Sequence, residues 1–244
     1  MTETTTALVT GANKGIGREV AAQLASLGAN VLLASRDPHR GAAAAADLGP
    51  RVHPVTLDVT DRASVLSAAR WIDERFGRLD ILVNNADISG DLAAQSPGSV
   101  ELALVREVFE TNVFGVISVT TTTMLPLLAR SPAARIVNVS SGLGSLARKT
   151  DPEDYFTTRP PMAAYVPSKT ALNSLTLQYA KEPGSRDILV NAADPGPCAT
   201  DFTTAFPGLT RTAADGAAVV VRLATLPDDG PTGGFFDEHG PVSW

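Results

Sequence analysis

Ala7-Leu8-Val9-Thr10-Gly11-Ala12-Asn13-Lys14-Gly15-Ile16-Gly17 runs from an apolar strand directly into a glycine-rich turn. Behind it, Val20, Leu24 and Leu27 recur on one face, which predicts a helix over Gly17 to Leu27. Glycines at such a turn let the backbone approach a phosphate group and let the helix pack close to the strand. The spacing Gly11-x-x-x-Gly15-x-Gly17 differs from the common G-x-G-x-x-G fingerprint. Taken alone, it also fits a tight strand-to-helix turn with no ligand.

The rest of the chain repeats the alternation. Strands are expected at Asn30 to Ser35, Val52 to Leu57, Leu79 to Asn84, Arg135 to Val139 and Ile188 to Ala192, with a short last one at Gly233 to Phe236. Helices are expected at Arg40 to Leu48, Asp61 to Phe76, Ser99 to Leu128, Tyr165 to Ala180 and Ala213 to Thr225. Near-continuous apolar strands separated by helices imply a parallel sheet covered on both faces. The expected fold is therefore α/β, a single-domain doubly wound parallel sheet of the Rossmann type over residues 1–244. Two stretches lack strong periodicity, 143–163 and 195–211. Loops this long in one domain are usually lids or binding loops.

Composition narrows the function classes. The net charge of −6 is spread without blocks, which argues against nucleic acid or an anionic membrane as partner. Cys198 is the single cysteine, and His39, His53 and His239 are scattered, so no disulfide or metal site is expected. No apolar run approaches the roughly 20 residues that span a bilayer, and Met1 to Thr6 lacks signal-peptide regions. A cytoplasmic protein is the expectation.

Further motifs supply the chemistry. Asn84-Asn85-Ala86 ends the fourth strand, Asn112 lies in the long helix, Ser140-Ser141 ends the fifth strand, and Tyr165-Val166-Pro167-Ser168-Lys169 places a phenol one helical turn from an ammonium. A nearby ammonium favours the phenolate and should lower the Tyr165 pKa from its ordinary value near 10. Tyr165 would then donate a proton to a developing alkoxide near neutral pH.

With these pieces and Pro195-Gly196, the chain resembles the short-chain dehydrogenase/reductase family over essentially its whole length. Within it, the chain looks most like the carbonyl reductases, on Gly11 to Gly17, Thr111-Asn112-Val113-Phe114-Gly115, Val137 to Ser141 and the tail from Leu226-Pro227 to Trp244. The resemblance implies nicotinamide-dependent carbonyl chemistry with a catalytic set of Tyr165, Lys169, Ser141 and Asn112. Ser141 would hydrogen-bond the substrate oxygen, Lys169 the nicotinamide ribose, and Asn112 would hold a water relaying protons to Lys169. Ser141 is preferred to Ser140 because it directly precedes Gly142-Leu143-Gly144. The cofactor-binding set is Gly11, Asn13, Lys14, Gly15, Ile16, Gly17, Arg36, Asp58, Val59, Asn85, Ala86, Tyr165, Lys169, Pro195, Gly196, Cys198 and Thr200. Asp58 is either an acceptor for the adenine amino group or a helix cap, a role that Asp61 fits better.

The end of the second strand selects the cofactor. NAD-preferring sites place an acid there for the ribose 2′-hydroxyl. Here the strand ends Ala34-Ser35-Arg36, and Arg36 can pair with a 2′-phosphate, with Lys14 as a second partner. The neighbouring Asp37 points the other way, and a solvated Arg36 is the bland alternative. NADPH is the expected cofactor.

Two acids depart from the family pattern. Asp87 follows Asn84-Asn85-Ala86 where the family usually has glycine, and Asp194 precedes Pro195-Gly196 where a neutral residue is more usual. Asp87 could contact substrate, weaken cofactor binding, or face solvent. The 24 positions from Ser141 to Tyr165 exceed the family's usual span. The added stretch, around 143–163, should wall the substrate cleft and favour a monomer over a dimer, and 195–211 should form the opposing lid. Leu143, Met162, Phe202 and Phe206, with Ser141 and Tyr165, make the expected substrate lining; ordinary loop packing is the competing reading. The expectation is an NADPH-dependent carbonyl (keto) reductase acting on a bulky apolar, aromatic or polyketide-like ketone. The alternatives are an alcohol dehydrogenase working in the oxidative direction and a non-catalytic NADPH-binding regulator.

Overall fold

Alternation between the two faces of a central sheet organises the molecule. A computed structural model describes residues 4–182, 188–204 and 208–244. The strands are β1 (Thr6–Val9), β2 (Asn30–Ser35), β3 (Val52–Thr56), β4 (Ile81–Asn84), β5 (Ala134–Val139), β6 (Ile188–Ala193), β7 (Phe235–Asp237) and β8 (Gly240–Pro241). Among the described residues they form one sheet in the order β3-β2-β1-β4-β5-β6-β7-β8, parallel except for the final β7/β8 pair. The doubly wound parallel sheet expected from the sequence is thus present.

Period-two packing sets the two cores. Ala7, Val9, Val31, Leu33, Val83 and Val137 face one side; Leu8, Leu32, Leu82, Ile136 and Val190 face the other. The first side is covered by α1 (Gly15–Ser26), α2 (Pro38–Leu48) and α9 (Ala213–Ala224). The second is covered by α3 (Arg62–Phe76), the segmented helix α4 (Leu102–Phe109), α5 (Gly115–Val119) and α6 (Leu125–Leu128), and α8 (Tyr165–Lys181). Pro54 is tolerated because β3 is the sheet edge.

Local chemistry explains the helix ends. The Asp61 carboxylate accepts from Ala63 N at 2.9 Å and opens α3, and Gly77, at φ +70°, closes it in the left-handed region. Thr212 and Asp215 form a reciprocal capping box on α9. The fourth strand starts at Ile81, two residues later than expected. The preceding Leu79 N bonds Leu127 O, and the buried Asp80 carboxylate is tied to Thr6 N, Arg78 and Ser131. The long helix begins at Leu102, not Ser99, because Ser99 and Val100 close a turn on Ser96. It also carries two π turns, Glu110–Phe114 and Thr120–Met124, invisible to a 3.6-residue period. Among the described residues, no helix is long and apolar enough to cross a membrane.

Candidate active site

β1 and β4 are neighbours, yet the chain leaves them toward opposite halves of the sheet. At such a switch point the carboxyl ends of the strands open into a crevice. The glycine turn follows β1 and Asn85-Ala86 follows β4, so both motifs meet there. Asn85 Nδ2 donates to Thr10 O at 2.8 Å, and the Asn85 and Ala86 amides donate to Thr10 Oγ1 at 2.9 and 3.0 Å. The fit is close: a Cβ on Gly17 would lie 2.4 Å from Asn85 Nδ2, and one on Gly11 2.9 Å from Ala86 Cα.

A cleft of about 1100 Å³ extends from this turn. One end is lined by Gly11, Asn13, Lys14, Gly15, Ile16, Gly17, Arg36, Asp58 and Val59. The N-terminus of α1 opens into it with no acidic residue in its first turn and no side-chain cap. Its first N–H groups therefore remain available to an anion, as a pyrophosphate requires. Asp37 is diverted: its carboxylate accepts from His39 N and Arg40 N and caps α2. Arg36 lines the cleft and Asp37 does not. Lys14 Nζ pairs with Asp201 at 3.1 Å across the mouth. Asp58 spends one oxygen on Thr60, N and Oγ1, at 2.9 and 2.7 Å. Pro195, Gly196, Cys198 and Thr200 line the cleft further along; the Cys198 thiol is buried, with burial pushing its pKa up.

The other motifs converge beyond it. Ser141 and Tyr165 both line the cleft, where the Ser141 hydroxyl favours the Tyr165 phenolate. Ser140 turns away, donating to Asn173 Oδ1 at 2.5 Å. Lys169 Nζ lies 5.6 Å from the Tyr165 ring centroid, donates to Val139 O at 2.9 Å and pairs with Asp87 Oδ2 at 2.7 Å. The expected drop in the phenol's pKa does not occur in this arrangement. Burial raises it well above its ordinary value, and the charges of Asp87 and Asp194 push the same way, against the smaller lowering effect of the Ser141 hydroxyl. Asp87 answers the ammonium that would otherwise have acted on the phenol.

Asn112 sits in the first π turn, buried, with both of its amide hydrogens donated. Oδ1 accepts from Ile88 N at 2.9 Å, while Nδ2 donates to Ile88 O at 2.9 Å and Ser168 Oγ at 3.1 Å. The side chain thus fixes the backbone beside Asp87. Asp87 is unstrained, since no described non-glycine residue has a positive φ.

The insertion forms one wall, through Leu143, Tyr155, Phe156, Arg159 and Met162. It contains α7 (Leu146–Thr150) and short 3₁₀ turns at Gly142–Gly144 and Tyr155–Thr158. Phe202 faces it from the expected lid, its ring 5.8 Å from that of Tyr165. Phe206 lies outside the described residues.

Residues 5–208 match the family of short chain dehydrogenases. The chain belongs to the short-chain dehydrogenase/reductase family. It is 39% identical over 226 residues to the short-chain dehydrogenase anuI of Penicillium roqueforti (strain FM164), covering 89% of this chain and 87% of that protein. It is 33% identical over 280 residues to carbonyl reductase [NADPH] 1 of Homo sapiens, covering 98% of each. The solved structure of salutaridine reductase from Papaver somniferum superposes with a TM-score of 0.81 at 33% identity, covering 96% of this chain and 99% of that one.

Two residues of this short-chain dehydrogenase/reductase escaped the sequence reading. Gln95 is fully buried in an irregular loop, and its Oε1 accepts from Tyr165 N at 2.9 Å, supplying the cap that α8 lacks. Its Nε2 donates to Ser89 O at 2.6 Å, and its carbonyl accepts from Ala163 N at 2.9 Å. Arg148 pins the insertion to the sheet end. It meets Asp154 at 2.8 Å, Asp237 at 3.8 Å and Asp194 at 3.9 Å, and stacks 4.4 Å from the Phe156 ring centroid. A glutamine in a loop and an arginine in an insertion carry no sequence signal of such roles; Ala164, a poor cap residue before a helix, was the one available hint.

Proposed function

We propose that the chain is an NADPH-dependent carbonyl reductase acting on a bulky, largely apolar ketone. One observation carries the reading: Ser141 and Tyr165 line the same cleft, whose far end holds an uncapped helix N-terminus and Arg36. The glycine cradle and the diverted Asp37 support a 2′-phosphorylated dinucleotide, with Arg36 on its phosphate and Asp58 and Val59 beside the adenine. When bound, such a cofactor supplies the hydride.

The chain's own residues act on the oxygen. Ser141 holds the carbonyl oxygen and stabilises charge gathering there. Tyr165 delivers the proton to it. Its raised pKa keeps the phenol protonated, and hence a donor, at neutral pH. Lys169 holds position through Val139 O and Asp87. Leu143, Phe156, Met162 and Phe202 favour apolar substrate walls, and a monomeric state is part of the same reading.

The test is titration with NADPH and NADH, followed by turnover of an aryl-ketone and quinone panel. Preferred NADPH binding with consumption coupled to ketone loss is expected. Equal affinities, or no consumption with any carbonyl compound, would count against it.

A further inference from the structure

Lys14, Arg36 and Arg159 are the cationic residues lining the cleft among the described residues. Lys14 is paired with Asp201. Arg36 lies at the glycine-turn end, where the proposed function gives it a phosphate. Arg159 lies on the insertion wall, and no feature discussed above uses it.

Its surroundings are unlike those of Arg148, the other arginine of the insertion. Arg148 faces three carboxylates. The Arg159 guanidinium meets no carboxylate or carbonyl acceptor among the described residues, and its Nε is buried without a hydrogen-bond partner. It is held instead by stacking, with Cζ 3.6 Å from the Tyr155 ring centroid. Tyr155 packs edge-on against Phe156 at 5.5 Å, and the Phe156 ring tip lies 2.6 Å from where a Cβ on Gly142 would sit. Gly142 adjoins Ser141. A continuous path of two aromatic rings therefore leads from the reacting end of the cleft to Arg159. A stacked guanidinium keeps its plane fixed and its donors ready, which suits a flat, forked acceptor.

We propose that Arg159 binds a carboxylate carried by the substrate at the end remote from its carbonyl. The substrate class becomes an oxo acid whose apolar body lies along Phe156 and Tyr155; this rests on the reductase reading above. A single guanidinium matches one negative charge. A phosphate would call for a second cation or a helix N-terminus, and the cleft's other cations sit at the glycine-turn end.

The experiment compares three members of one aryl-ketone series, with a remote carboxylate, its methyl ester and the corresponding phosphonate. KM with NADPH and calorimetric binding to the NADPH-loaded protein are measured for wild type, Arg159→Gln and Arg159→Lys. Wild type should favour the acid over the ester by about tenfold in KM and in Kd. Arg159→Gln should erase that difference, with its thermal melting midpoint verifying the fold, and Arg159→Lys should restore part of it. Equal handling of acid and ester by wild type, or acid preference surviving in Arg159→Gln, overturns the proposal. Preference for the phosphonate overturns the carboxylate assignment. Arg159-dependent binding of the acid without turnover of any member would sink the reductase reading, and with it the oxo-acid substrate class, and leave only the carboxylate site at Arg159 standing.

Discussion

Asp87 Oδ2 lies 2.7 Å from Lys169 Nζ, joining a residue just past β4 to a lysine on α8 that is 1% exposed. Asp87 lines the cleft and Lys169 does not. The carboxylate therefore stands between the ammonium and anything that enters.

Replacing Asp87 by Asn keeps the shape and removes the charge. The Tyr165 phenol should then titrate at lower pH, since Asp87 is one of the charges raising it. The alkaline limb of the kcat/KM profile for reduction, where the phenol loses its proton, moves to lower pH with it. Breaking the pair leaves the ammonium on Val139 O, at a cost of about 1–3 kcal/mol to the cofactor-free protein. Calorimetric melting with and without NADPH should show a lower midpoint without cofactor and a larger NADPH-induced rise than in wild type. An unmoved pH profile removes Asp87 from the control of Tyr165.

Tyr165→Phe should lower kcat by roughly 10²–10⁴, the ordinary worth of a positioned acid, with NADPH affinity nearly unchanged. Ser141→Ala should cost about 10²–10³ in kcat as an oxyanion donor is lost. Ser140→Ala should leave kcat close to wild type, because that hydroxyl serves Asn173. Steady-state kinetics on one ketone settles all three, and equal losses for the two serines contradict the assignment.

Arg36→Ala removes a charge-assisted contact worth about 1.5–3 kcal/mol. NADPH affinity should fall by roughly ten- to a hundredfold while NADH affinity changes little. Fluorescence titration reads both, and equal losses would show Arg36 acting on something other than the 2′-phosphate.

Gln95→Ala strips the cap from α8 and leaves Tyr165 N and Ser89 O without partners. The expected loss is about 2–4 kcal/mol in urea unfolding, more than a surface cap would cost. Because that amide belongs to Tyr165, the proposed proton donor, kcat should fall more than NADPH affinity. A stability loss with unchanged kcat would confine Gln95 to folding.

Burial holds the Asp194 carboxyl above its ordinary value of 3.8. Between the unfolded value and the raised folded one, the folded chain keeps a proton that the unfolded chain has released. Its contribution to stability therefore falls as pH rises through that window. Asp194→Asn should flatten this decline, so that the variant gains on wild type as pH rises above the ordinary carboxylate value. Denaturation midpoints across that range provide the check, and a constant difference would exclude Asp194 as the titrating group.

Signals carried by neighbouring residues were legible in the chain. Asp61 and Gly77 bound α3 through contacts within a few residues, and Gly11 to Gly17 place a turn wherever the rest of the chain goes. Ser141 was distinguished from Ser140 by its following glycine loop, and in the structure Ser140 is engaged with Asn173 while Ser141 shares the cleft with Tyr165. The π turn around Asn112 was not legible, because it depends on how the helix settles against α8 and the Ile88 backbone. The behaviour of Tyr165 was also hidden: its spacing to Lys169 suggested a lowered pKa, and the buried neighbourhood reverses it.

By itself the chain determined the alternation of strand and helix, the glycine turn after β1 and the placing of Tyr165 one helical turn before Lys169, since each follows from residue type and short spacing. Only the tertiary structure decided that Asp87 takes the Lys169 charge, that Gln95 starts α8, that Arg148 anchors the insertion and that Arg159 meets no carboxylate among the described residues. Those outcomes depend on which groups meet across tens of residues, and charge and burial act through distance in space, not separation along the chain.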